Sequence, residues 1–346
     1  MLIQEILYRE AVALHYIGSL VCSMHENNSH GGPGKPIDPW VVGAMLCLLA
    51  IPAIPTLRAV RHTVFIDVAG QHASPLGYTI SLSLFVIPIL VIGLWLLPQS
   101  GKKIPQKAFW TTIAILFPLG AALDFFFATR FFVFPEPAAT LGLFIPAWRG
   151  SVPVEEYIFY LTGFMAVLLL YLWLDEYWLC AYSVPSDVQG RTQYHRLVRF
   201  HPASLIVGLV LVGVAFVLRR LLQPDSPGIP GYFIFIVITA LGPSTLLLPS
   251  ARPMINWRAF SLTLYIIALT SLLWEATLAL PYGWWGYQRP QMIGLSILAW
   301  DALPVEAVVV WLAVTFTTVI TYETVKSWQA SGKEAREAFF GRTPDA

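Results

Sequence analysis

Runs of about 20 predominantly apolar residues, each long enough to cross a bilayer, constrain this chain more than any other feature. Eight can be read, at about 39–57, 78–98, 108–129, 152–174, 202–222, 230–249, 259–280 and 301–323. A backbone in hydrocarbon must satisfy its own N–H and C=O groups, and runs of this length do so as helices. The expected fold is therefore all-α, a polytopic membrane helix bundle with about eight transmembrane helices. Charge content agrees, since 12% of the residues are charged against about a quarter in a soluble domain.

The stretch before the first span, MLIQEILYREAVALHYIGSLVCSM, carries Glu5, Arg9 and Glu10 in its first half. It reads as an interfacial amphipathic helix rather than a ninth span, and it lacks the order of regions that marks a cleavable signal. Of the 21 Lys and Arg residues, fourteen fall on the side that holds both termini and seven on the other, which places both termini in the cytoplasm. The expected location is an integral multi-pass membrane protein, in the endoplasmic reticulum if the source is eukaryotic. Nothing supports nucleic-acid binding, because the net charge is +1 and the basic residues are scattered between spans. Cys22, Cys47 and Cys180 form no CxxC and no paired framework.

The chain repeats itself at an offset of 151. That offset places Ala108-Phe109 on Ala259-Phe260, Ile115 on Ile266, Asp124 on Glu275, and Pro153-Val154-Glu155 on Pro304-Val305-Glu306. Acidic residues in spans are rare, so two in register carry more weight than many matched apolar positions. The expected organisation is 1–77, an N-terminal interfacial helix plus the first span; 78–176, a first three-span unit; 177–229, a linker with one span; 230–327, the second unit; and 328–346, a cytoplasmic tail. Corresponding spans lie four crossings apart, so the units form a parallel repeat. Asp124, Glu155, Glu275 and Glu306 then fall near one membrane face.

Those acids have two readings. A proline suits the first turn of a helix and a Glu just after it suits the helix dipole, so each Pro-Val-Glu could simply cap its helix. A cap needs one carboxylate, however, and Glu156 follows Glu155, so five acids gather here. Crowded carboxylates in a dry site cannot all ionise together, which is the condition for a general acid. Glu155 and Glu156 are about 100° apart around their helix. Glu155, the repeated one, is expected to point inward.

Aromatic residues crowd the same face. They could form an interfacial belt or a cage of π-faces able to stabilise a carbocation. Trp284, Trp285 and Tyr287 in GWWGY, together with Trp300, Tyr157 and Phe127, are the candidate cation-stabilising residues. The seven histidines form no HxxH or HxxxH cluster, no DDxxD or NDxxD lies in or beside a span, and neither GxGxxG nor GxSxG appears. No cofactor or metal site is expected. The chemistry left is protonation of an alkene or epoxide in a lipid-soluble substrate.

At these residues the chain resembles the membrane-integral carotenoid cyclases, the lycopene cyclase domain of bacterial heterodimeric enzymes and of fungal bifunctional cyclase/phytoene synthases. Asp124 with PVEEYIFY at 153–160 matches the first unit, and Glu275 with WDALPVEAVVVW at 300–311 the second, so the resemblance covers residues 78 to 327. It implies redox-neutral cyclisation of a polyene. Glu155 and Glu306 become proton donors or cation stabilisers, assisted by Glu156, Asp124 and Glu275. The chain departs from the pattern at Ala307, in an extra leading span and in the lack of a following phytoene synthase domain. These departures point to a shorter prenylated substrate, such as an epoxidised meroterpenoid or indole diterpene. The alternative classes are a small-molecule transporter, whose three-plus-one-plus-three helix plan is similar, and an accessory or receptor membrane protein. Membrane lipids and a prenylated small molecule are the expected partners.

Overall fold

The computed structural model describes residues 74–99, 104–184, 196–225, 228–298 and 303–341. The expected N-terminal interfacial helix and the span at 39–57 lie outside the described residues. Among the described residues six helices are long and apolar enough to cross a membrane: α1 (Gly77–Leu96), α2 (Gln106–Phe131), α3 (Val154–Trp178), α4 (Pro202–Leu222), α6 (Trp257–Ala279) and α7 (Glu306–Ser331). The expected span at 230–249 is shorter than predicted. It forms α5 (Gly231–Leu246), whose 16 residues rise only about 24 Å, because Pro243 sits in its last turn and the chain then turns into the short helix Leu248–Ala251. A final helix, α8 (Ala335–Phe340), follows α7.

Prolines and small sheets set the helix boundaries. Pro88 lies inside α1, and a π-helical turn over Val91–Leu96 follows it, as expected where the missing N–H interrupts the regular ladder. Pro153 caps α3 from an extended conformation and Pro304 ends a strand before α7, so both prolines stand just ahead of their helices rather than in the first turn. Among the described residues three two-stranded antiparallel sheets lie in the connections. β1 (Phe132–Val133) follows α2 and pairs with β4 (Gly286–Tyr287) after α6. β2 (Phe144–Ala147) and β3 (Gly150–Pro153) form a hairpin before α3, and β5 (Ser296–Ile297) pairs with β6 (Leu303–Pro304) before α7.

The bundle is built around α3 and α7, the two most enclosed spans. They pack on each other, α3 also against α1, α2 and α6, and α7 also against α2, α5 and α6. Where they cross, the rings of Tyr171 and Tyr322 meet edge to face at 6.4 Å. Next to that crossing, Asn256 ties three elements together. Its side-chain oxygen accepts from Ala259 N (3.2 Å), capping α6, while its amide donates to Asp175 Oδ1 (2.9 Å) and to the carbonyl of Leu179 (3.0 Å). Tyr171 donates in turn to the buried Glu323 (2.9 Å).

Asn256→Ala removes a cap worth about 1 kcal/mol and strands buried acceptors at about 1–3 kcal/mol. A loss of roughly 2–4 kcal/mol follows, read as a lower thermal unfolding midpoint of the detergent-solubilised chain. An unchanged midpoint would contradict the anchoring role.

Candidate active site

Helix α3 opens with two consecutive acids, and a rotation of about 100° per residue sends them to different surroundings. Both are buried. Glu155 turns to the start of α1 and to the loop ahead of β2: its Oε1 accepts from Thr79 Oγ1 (2.5 Å) and from the backbone N–H of Leu141 (2.7 Å). Glu306, at the start of α7, likewise bonds a loop, with Oε1 accepting from the N–H of Ile293 (2.6 Å). Arg219 of α4 lies within electrostatic range of Glu306 and donates to the carbonyl of Met292 in the same loop. In both acids Oε2 has no hydrogen-bond partner in the structure.

The expectation that Glu155 faces the shared interior is reversed. Glu156 lines a cavity between the helices, and the second carboxylate on its wall is Glu275; Glu155 and Glu306 are not among its lining residues. The rest of the wall is mainly aromatic: Tyr78, Phe132, Phe159, Tyr160, Phe164, Tyr232, Trp274, Trp285, Tyr287 and Trp311, with Gly163, Val310 and Val314.

Each cavity carboxylate is held by a tyrosine. Tyr78, from the start of α1, donates to Oε1 of Glu156. Tyr287, from β4, donates to Oε2 of Glu275, whose Oε1 also accepts from the indole N–H of Trp311 (3.3 Å). The β1–β4 register sets Tyr287 opposite Phe132, so this strand pair brings both rings to the cavity. Burial, then the nearby Glu275, pushes the Tyr287 hydroxyl well above the ordinary tyrosine value; it stays a donor at neutral pH.

The remaining expected residues divide. Asp124 is buried in α2 with Oδ2 unbonded, off the cavity wall but within electrostatic range of Glu156, as are Glu155 and Glu275. Trp285 lines the cavity, 4.9 Å from the Tyr78 ring and 4.6 Å from Trp274. Its neighbour Trp284 stacks on Tyr78 at 6.4 Å and donates to Ser74 Oγ (2.6 Å), behind the wall. Gly283 makes that turn, with φ at +64°, where a side chain would be strained. Phe127 packs on Phe131 and Phe235 instead. Tyr157, half-buried, leaves its hydroxyl without a partner and is not on the wall. Trp300 lies outside the described residues.

Sequence reasoning missed Tyr78 and Tyr232. A signal existed for one of them, since Tyr78 heads an otherwise apolar span. Among the described residues no group of three or more His, Cys, Asp or Glu is arranged to hold a metal ion. The chain matches no family model, no curated protein and no solved structure.

Glu306→Ala strands the buried N–H of Ile293, and Glu155→Ala removes the acceptor of the part-buried Leu141 N–H and Thr79 hydroxyl, the former at a cost of about 1–3 kcal/mol and the latter at less. Both variants are expected to unfold at lower temperature, with Glu155→Gln and Glu306→Gln milder because the amide oxygen still accepts. Thermal melts of all four check this; alanine variants as stable as wild type would remove the loop-anchoring role.

Proposed function

We propose that this protein is a redox-neutral membrane terpene cyclase, acting on a lipid-soluble prenylated substrate. The observation that carries the reading is the cavity itself, in which Glu156 and Glu275 reach one aromatic chamber from different helices. A general acid adds its proton to a terminal alkene or an epoxide of the substrate, and the π electrons, or the opening C–O bond, leave a carbocation. An internal alkene attacks that carbon and closes a ring. The π-faces of Trp285, Trp311 and Phe159 stabilise the migrating charge, and a carboxylate takes a proton from a neighbouring carbon, so the product is an isomer of the substrate. Glu156 and Glu275 are the donor and acceptor. Tyr78 and Tyr287 hold them in position, while Glu155 and Glu306 hold the loops.

The reading includes a duplicated architecture with parallel three-helix units and both termini in the cytoplasm. Supporting the duplication, the N–H of Val154 bonds the carbonyl of Leu143 (2.9 Å) and that of Val305 bonds Leu295 (3.0 Å), matching hairpin closures ahead of matching Pro-Val-Glu sequences. Tyr171 and Tyr322, which meet at the helix crossing, are 151 residues apart, as are Glu155 and Glu306. A transporter fits less well, because the cavity wall carries no Asn, Gln, Ser or Thr to line a polar path.

Expression in a host supplied with candidate prenyl substrates, with mass spectrometry of the extracts, tests the proposal. The wild-type chain is expected to yield an isomer of unchanged mass. Glu156→Gln and Glu275→Gln are expected to lower turnover by about 10²-fold or more in chains that still insert and fold, whereas Trp285→Leu shifts the product ratio more than Trp284→Leu does. Wild-type turnover in both glutamine variants would remove these acids from the mechanism.

A further inference from the structure

Residues 141–148, between α2 and α3, read Leu-Gly-Leu-Phe-Ile-Pro-Ala-Trp, without a charge. Leu141, Leu143, Phe144, Ile145 and Trp148 are all exposed, Leu143 at 61% and Trp148 at 65%. A contiguous exposed apolar surface of this kind marks an interaction site, and three observations say what covers it.

The first is backbone satisfaction. β2 and β3 pair from Phe144↔Pro153 to Ala147↔Gly150. Beyond the strands, Val154 N–H bonds the Leu143 carbonyl (2.9 Å), Trp148 N–H bonds the Phe125 carbonyl (2.9 Å), and Leu141 N–H bonds Glu155 (2.7 Å). These bonds satisfy the inner edges of the pair and its ends, while the outer edges of a two-stranded sheet need water or headgroups, which places the hairpin at the boundary and not in the acyl core.

The second is position. The Trp148–Phe125 bond lays the hairpin's tip against α2 six residues before its last residue, Phe131, which is about 9 Å back along the helix at 1.5 Å per residue. Phe125 and Phe126 are exposed there, and the Trp148 ring lies 6.1 Å from Phe126. The hairpin's apolar surface is thus continuous with the outward face of a membrane-spanning helix. The third is the tip itself, where exposed Trp148 is followed by exposed Arg149. Tryptophan favours the membrane–water interface, and arginine can bury its stem while its charge reaches the headgroups.

We propose that the hairpin Phe144–Pro153, with Leu141 and Leu143 leading into it, is embedded in the bilayer at the boundary of acyl chains and headgroups rather than lying in water. The inference does not rest on the cyclase reading, and its test measures no activity.

Leu143→Cys and Trp148→Cys, in the full chain reconstituted into phosphatidylcholine vesicles, are each labelled with a thiol-reactive fluorophore. The wild-type chain, labelled in parallel, gives the background from the native cysteines. The expected result at both positions is several-fold stronger quenching by lipids carrying a nitroxide near the top of the acyl chain than by aqueous iodide. Quenching by iodide as efficient as that of free dye would make the hairpin an aqueous loop. Shielding from both quenchers would assign the surface to another protein chain. Either result overturns the proposal. So would failure of Leu143→Cys to fold, because a residue that meets only lipid tolerates that change.

Discussion

An isolated carboxylate buried without partners costs many kcal/mol, and among the buried carboxylates of the described residues Asp124, Glu155, Glu156, Glu275 and Glu306 lie in or at the ends of membrane-spanning helices toward one end of the bundle. The need to satisfy them shapes the end of the bundle where they lie. Glu155 and Glu306 are met by backbone N–H groups of the loops at Leu141 and Ile293, and so fix those loops against their helices. Glu156 and Glu275 are met by tyrosine hydroxyls from α1 and β4, and so fix a distant helix and strand around a common space.

That division separates the acids that bond loops from those that face the cavity. Glu155 and Glu306 are not on the cavity wall, whereas the β1–β4 pair sets Phe132 and Tyr287 there. The tyrosine-bound acids look into a space where Trp274, Trp285 and Tyr78 already pack edge to face or tilted against one another. Preorganised donors and rings of this kind need little rearrangement as charge develops on a bound molecule. The apolar hairpin ahead of α3 places lipid chemistry beside the same end of the bundle.

Much of this was legible in the residues. The apolar runs located α1 to α6 to within a few residues but ended α7 eight residues early and left α8 in a tail, and the register of Asp124, Pro-Val-Glu and Glu275 drew attention to acids that are buried. Which of Glu155 and Glu156 faces inward was not legible, since a rotation of about 100° per residue separates them and only the packing of α3 against α1 and α7 fixes its azimuth. Repetition misled here, because the Glu of each Pro-Val-Glu sequence bonds a loop N–H, at Leu141 and at Ile293. The same limit applies to Trp284 and Trp285, adjacent in sequence but on opposite sides of the wall. Tyr232 and Tyr287 reach the cavity through the short α5 and through the β1–β4 pair, long-range features with no local pattern. The early end of α5 was signalled by Pro243 and masked by the apolar residues beyond it.

The central claim is that a carboxyl group on the cavity wall delivers a proton to carbon. Turnover in heavy water after full exchange tests it most directly, with the product analysed for deuterium. The account predicts one deuterium in each product molecule, bonded where the alkene or epoxide was attacked. A product free of deuterium would mean that the substrate rearranges its own hydrogens, and would contradict the claim.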